Sequence, residues 1–440
     1  MKDVRAMLKH VFLLISISVL AASSLAACGG SSTPTVTVWS WRSQDAPLWQ
    51  KVQDALNKQG VKVRIQFRSV NATSYDSVLQ TAMDGGKGPD IMYTRAGEGT
   101  QSYAAANMLE PLDNLVDFSK ISPATLESAR YAGKTYAVPF AIQTMVVYYN
   151  KDLFAKYGLA EPKTWNDFIH ICDVLKAQGV TPLATMGIQG WMLALNFDEI
   201  GASLMGNQFA QMLVDRKATY TSAPYVDALA HYQQLSQYFE PNFAAVGSAG
   251  NEQETMFALG KAAMVMDGIW DWPTILQFNK NLKMGEFLVP PAQANQSPKV
   301  DWYVDGGIGM NANISNSAEK TAAQAVMKFT ATPQFGQDFS AIAGEISPIE
   351  GVQIPSQYAL SIQASQWFQT IPITPIFDIR SPMDTPPPVP INKQKPNAVN
   401  TNQGVFTLET NDMLPLLTHK ATPQQTAAAI QKGVAWYFKS

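Results

Sequence analysis

Thr35-Val36-Thr37-Val38-Trp39 opens the stretch that decides the fold, and Pro89-Asp90-Ile91-Met92-Tyr93 closes it. The first run is short and β-branched and reads as a strand. Asp45-Ala46-Pro47 then offers a helix start, and Leu48, Val52, Ala55 and Leu56 recur at helical spacing until Gly60. Val61, Val63, Ile65 and Phe67 alternate with polar residues, the period of a half-buried strand. A second helix is predicted from about Ser74 to Met83, followed by the Gly-rich turn Asp84-Gly85-Gly86-Lys87-Gly88 and the closing strand. Strand and helix in this alternation argue for an α/β fold with a parallel sheet, helices on its faces and ligands at the carboxyl ends of the strands.

Downstream the pattern turns helical, from about Asp152 to Tyr238. Thr164-Trp165-Asn166-Asp167 is a capping-box start leading into Phe168, Ile169, Cys172 and Leu175, and Gly179 ends that helix. Strand-like pieces return at Ala262 to Met266 and around Val300 to Met310, and the Pro-rich Ser381 to Pro396 reads as an ordered loop or lid. No internal repeat of fixed period is visible, which removes solenoid and propeller readings.

Upstream, Lys2, Arg5 and Lys9 precede an apolar run from Val11 to Leu20, too short to span a bilayer comfortably and followed by small residues. Residues 1–27 are therefore expected to be an export signal, with 28–34 as a Gly/Ser-rich tether. Leu25-Ala26-Ala27-Cys28 resembles the lipobox of bacterial lipoproteins, which implies lipid on Cys28 and attachment to the outer face of the cell membrane, at the cell surface or in the periplasm. Cys172 then has no partner, and its helical context makes it a small buried hydrophobe. Of the 440 residues, 440 less 27 leaves 413, more than one core holds, so two domains are expected. Removing Lys2, Arg5, Lys9 and Asp3 moves the net charge from −3 to −5. With no basic block after the signal, neither nucleic acid nor a polybasic membrane patch is called for.

Eight phrases fall in order along residues 36 to about 345: Val38-Trp39-Ser40-Trp41, Gly88-Pro89-Asp90-Ile91, Gly133 to Pro139, Tyr148 to Phe154, Pro162 to Trp165, Phe257 to Met264, Asp267-Gly268-Ile269-Trp270 and Asp305-Gly306-Gly307. Together they resemble extracellular solute-binding protein family 1, the maltose-binding-protein-like receptors of sugar-importing ABC transporters. The resemblance implies a two-lobed α/β fold of the periplasmic-binding-protein type, each lobe a mostly parallel sheet flanked by helices. Lobe 1 would comprise 35–142 plus about 300–350, and lobe 2 about 146–297 plus about 351–440, with hinge strands near 140–147 and 295–305. It also implies a sugar ligand, ABC permease subunits as partners, a monomer, no catalysis and no cofactor.

Sugars present apolar C–H faces ringed by hydroxyls, so their receptors pair flat aromatic surfaces with planar polar side chains. Trp39 and Trp41 end the first strand with Gln44 just beyond, and Arg95 and Glu98 follow the strand that carries Tyr93. The resemblance places a sugar-contacting amide or carboxylate at Gln143, where a polar side chain inside Phe140 to Val147 needs either a ligand or a backbone partner. It also makes Trp270 the stacking tryptophan, extended by Asp271, and looks for a second stacking residue near Trp191, which a helix-capping core role fits equally well. Asp305 before Gly306-Gly307 is either a hydroxyl acceptor or part of a hinge turn.

Enzyme readings lack a motif. Asp45, Glu98, Asp271 and Asp305 offer carboxylates, but sugar-binding sites use carboxylates too. His170, His231 and His419 have no metal-like spacing, Cys172 lacks an activating neighbour, and Gly85-Gly86-Lys87-Gly88 is not a phosphate loop. A receptor for a polyamine or glycerol phosphate, and a secreted glycoside-processing lipoprotein enzyme, remain the alternatives.

Overall fold

The computed structural model describes residues 33–371 and 403–439. The expected export signal, Cys28 with most of its tether and the Pro-rich 381–396 lie outside the described residues. Among the described residues there are thirteen strands: β1 (Thr35–Ser40), β2 (Arg64–Ser69), β3 (Ile91–Arg95), the small hairpin β4 (Arg130–Tyr131) and β5 (Lys134–Thr135), β6 (Ala137–Pro139), β7 (Ile142–Gln143), β8 (Met145–Asn150), β9 (Thr181–Ala184), β10 (Ala262–Gly268), β11 (Met284–Phe287), β12 (Tyr303–Val304) and β13 (Gly306–Met310). The βαβαβ opening forms as its periodicity predicts, with helices Ala46–Lys58 and Ala72–Asp84 between the first three strands.

The first sheet has the order β2-β1-β3-β13-β6 and the second β11-β8-β10-β9. In the first, β1 pairs parallel with β2 and β3, while β13 lies antiparallel to both β3 and β6. In the second, β10 and β9 are parallel and β8 runs against β10 and β11. Each sheet thus has strands of one direction and a single reversed member. The reason is the route of the chain. Both β8 and β13 follow directly on the short strands β7 and β12, which pair antiparallel through Gln143 with Tyr303 and Ile142 with Val304, so both enter their sheets from the crossing side. A third segment joins there, where Ile142 bridges Ile346.

Two cores follow from this routing. One gathers Val36, Val38, Trp49, Tyr75, Tyr93, Val138, Ile308 and Phe335, among others between residues 36 and 349. The other gathers Phe168, Leu175, Phe197, Tyr232 and Val289 with Leu416 and Ile430 from the C-terminal helices Val405–Leu417 and Pro423–Gly433. A smaller cluster on the second sheet takes in Tyr148, Val265 and Trp272 together with Ala364 of helix Ala359–Thr370. The molecule is two-lobed. Helix Trp165–Ala177 shows how sequence becomes core: Thr164 and Asp167 close the capping box, and Trp165, Phe168, Cys172 and Leu175 form its buried stripe. Gly179 beyond it takes φ +73°. Cys172 has no exposure, and burial pushes its thiol up, out of reach of thiolate chemistry.

Candidate functional site

The crossing is organised around one guanidinium. β1 ends at Ser40, and two residues later Arg42 lies buried with Asp45, Asp305 and Glu345 about it. Its Nε donates to Asp45 Oδ2 at 3.0 Å, one terminal nitrogen to Asp305 Oδ2 at 3.1 Å, and the other to Glu345 Oε1. Tyr93 donates its hydroxyl to the same Asp45 oxygen at 2.9 Å, and Gln143 donates its amide to Glu345 Oε2. Three carboxylates thus face one buried cation, Asp45 and Glu345 closed to water and Asp305 partly open to it. Burial pushes the Glu345 carboxyl up to about 7, against the pull of Arg42. Asp305 is likewise raised by burial, with Arg42 and Arg95 pulling it back. The three acids hold Arg42 charged although its own desolvation works the other way.

A second group lies on the other lobe, where β10 ends. Asp267 and Gly268 are its last residues, and the indole of Trp270 folds over Gly268 so closely that a Cβ there would meet ring atoms at 1.9 Å. The ring centroid of Trp191, in the first turn of helix Gly190–Val214, is 6.4 Å from that of Trp270 at 40°. Tyr303 of β12 meets Trp270 edge-on at the same centroid separation. Both indoles are half-buried. Asp271 follows, half-buried and pushed up to about 6 by burial, with Asp267 and Trp270 among the hydrogen-bond partners that pull it back. Carboxylate oxygens of Glu254, Asp267 and Asp271 come within 4.8 Å of one another. All three acids are raised by burial, so the trio favours sharing protons.

The remaining candidates divide. Trp41 sits edge-on to Tyr75 and Tyr93, and one of its faces is covered by the Arg95 guanidinium at 3.8 Å from the centroid. Arg95 also reaches Asp76 at 3.4 Å and the Ala72 carbonyl at 3.3 Å. Gly306 is needed beside them, since a Cβ there would lie 2.5 Å from the Thr94 carbonyl and 2.9 Å from Trp41. Glu98 begins helix Glu98–Ala105, and burial alone pushes its carboxyl up to about 7. Trp39 lies further out, its ring under Arg68 of β2 at 4.3 Å, and Gln44 is exposed in the turn ahead of helix Ala46–Lys58. The structure therefore brings Trp41, Arg95 and Asp305 into one neighbourhood around Arg42, and Trp191, Trp270 and Asp271 into another; Trp39 and Gln44 join neither. Gln143 has no exposure; its amide donates to the Glu345 carboxylate, a side chain and not the backbone, while its Oε1 accepts no hydrogen bond among the described residues.

Sequence reading missed Glu345, Tyr303 and Gln189. Glu345 follows Gly344, which ends helix Pro333–Ala343 with φ +71°, and a charged residue beside an αL glycine was the one local signal. Gln189 precedes helix Gly190–Val214 and accepts the Trp191 indole N–H at 3.0 Å.

The sequence profile of the bacterial extracellular solute-binding proteins matches residues 39–337, most of this framework. The chain belongs to that family. Among relatives of this solute-binding protein are an uncharacterised ABC transporter extracellular-binding protein of Pyrococcus horikoshii, 24% identical over 368 residues covering 77% of this chain and 80% of that one, and the multiple sugar-binding protein of Streptococcus mutans, 22% identical over 355 residues, 77% and 83%. In three dimensions it resembles a chitin oligosaccharide binding protein with a TM-score of 0.74, at 24% identity over 93% of this chain and all of the other. That likeness establishes the shared fold. Among the described residues no helix is long and apolar enough to cross a membrane.

Proposed function

We propose that the chain is the carbohydrate receptor of an ABC importer, held outside the cell membrane by lipid on Cys28, acting as a monomer without catalysis and passing its ligand to a permease. The lobes would be 35–142 with about 300–350, and about 146–297 with about 351–440. The supporting observation is the pair of half-buried indoles, Trp191 and Trp270, set 6.4 Å apart beside a crossing strand and next to the Asp271 carboxylate. Stacking surface next to a hydroxyl acceptor is what a pyranose ring requires. The charged groups point the same way. Arg42 is engaged by three carboxylates and Arg95 by Trp41 and Asp76, which leaves a neutral polyol better matched than an anion such as glycerol phosphate. The Streptococcus mutans and chitin oligosaccharide relatives are sugar binders by name, which adds weight to carbohydrate.

Solute-binding proteins are a standing example of closure about a hinge, so a ligand held by both lobes shifts the open–closed population by its preference for the closed one. Calorimetric titration with chitotriose, raffinose, maltotriose and xylotriose, and with spermidine and glycerol 3-phosphate as contrasts, tests the assignment. At least one sugar is expected to bind and to raise the melting temperature, since ligand binds only the folded form. Trp270→Ala should weaken that sugar at least tenfold while its far-ultraviolet circular dichroism stays unchanged. Binding of spermidine alone, or hydrolysis of any glycoside in the panel, would overturn the reading.

A further inference from the structure

Away from the crossing segments, a hydrogen bond joins the two lobes directly. The Thr73 hydroxyl donates to Gln189 Oε1 at 2.9 Å, across 116 residues of sequence. Thr73 is the second residue of helix Ala72–Asp84, whose Tyr75, Leu79 and Met83 are buried in the first core. Its backbone N–H is already taken by the Asn71 side chain at 3.0 Å, so the hydroxyl is the group left to reach outward, and Thr73 is itself exposed.

Gln189, by contrast, is buried and fixed. Its Nε2 donates to the Gly247 carbonyl at 2.6 Å, which decides which way the amide faces. Gly247, at φ +112°, lies so close that a Cβ would stand 3.0 Å from Gln189 Cγ and 2.9 Å from Ile188. The backbone N–H groups of Gly187 and Ile188 are tied at 3.0 Å to the carbonyls of Phe243 and Val246 in the same loop. The carbonyl oxygen left over accepts two donors, the Trp191 indole at 3.0 Å and Thr73. A rigid acceptor on one lobe, shared between an aromatic ring of the candidate site and a donor on the other lobe, is suited to link ring placement with lobe contact.

We propose that Gln189 is a positioning residue that latches the lobes: it orients Trp191 and, when the lobes come together, captures the Thr73 hydroxyl. The proposal rests on the receptor reading, because a latch has use only where lobes open and shut on a ligand. One hydrogen bond exchanged with water shifts a population by about fivefold. It is tested by pulsed dipolar distances between spin labels at Lys58→Cys and Ala177→Cys, exposed sites on the two lobes, in ligand-free and sugar-saturated protein, with the lone native thiol of the described residues, Cys172, buried.

In the ligand-free state, Thr73→Val should cut the short-distance population about fivefold relative to the long one, and Thr73→Ser should restore it. With sugar bound, Thr73→Val should speed dissociation about fivefold. The unfolding equilibrium without ligand should shift by at most the same fivefold factor in Thr73→Val and not in Thr73→Ser, because only the closed part of the folded population loses the bond. A wild-type distance distribution in Thr73→Val, no short population in the parent protein, or an unfolding equilibrium shifted well beyond fivefold overturns the latch. If every sugar is ignored while Thr73→Val still opens the lobes, the receptor reading falls and the lobe contact stands. If sugar binds and Thr73→Val changes nothing, the latch alone falls.

Discussion

Arg42 sets the energetics of the crossing at the scale of a single residue. Removing one partner of a buried ion group leaves charges uncompensated, at a cost of about 3–5 kcal/mol. Arg42→Met would strand Asp45, Asp305 and Glu345, and is expected to lower unfolding free energy by about that amount in urea titrations at pH 7.5. Glu345→Gln should be far milder at pH 6, where a carboxyl raised to about 7 is already mostly protonated and neutral. Equal losses for both variants at that pH would contradict the charge account. This network also marks the limit of what the chain disclosed before its structure. The cost of burying Gln143 was legible from its apolar flanks, and so was its need for a partner. That the partner is Glu345, 202 residues away, was not, because the crossing segments meet only in three dimensions. Trp270 was singled out by the family resemblance, with the strand-like Ala262 to Met266 just ahead of it; Trp41 was readable as an aromatic, but the Arg95 guanidinium over its face was not.

Among the elements, the end of β10 is the most exacting. Its residues Ala262–Gly268 are all buried, and the chain then turns at once to bring Trp270 back over Gly268. Gly268→Ala puts a methyl where the indole now lies, and because Trp270 is half-buried the ring can swing aside more readily than the strand can shift. The expected outcome is a sugar affinity reduced at least tenfold, as for Trp270→Ala, with a melting temperature within a few degrees of the parent. Unchanged affinity would mean that the ring's present position is not the binding one. The strand and helix alternation of residues 35–93, the capping box at Thr164 and the strand at 262 all took the form their periodicity predicts, because each is decided by near neighbours. The reversed direction of β8 and β13 could not be read that way, since it is imposed by where the chain re-enters each lobe.

For the whole molecule, buried carboxyls dominate the response to pH. Glu98 and Glu345 are raised to about 7, Glu199 to about 8 and Asp271 to about 6, each chiefly by burial. The folded state therefore holds more protons than the unfolded chain between about pH 4.5 and 8, and stability falls as pH rises through that window. Differential scanning calorimetry should show a melting temperature several degrees higher at pH 5.5 than at pH 8.5; the reverse slope would refute the assigned protonation. The position of β13 between β3 and β6 has a consequence in time. A growing polypeptide that has emerged as far as residue 300 has both neighbours of that strand but nothing to lie between them, so the edges of β3 and β6 that β13 will cover are still unpaired. Completing that sheet waits until all four strands of the other have been synthesised, and such distant pairings slow refolding and prolong exposure to aggregation.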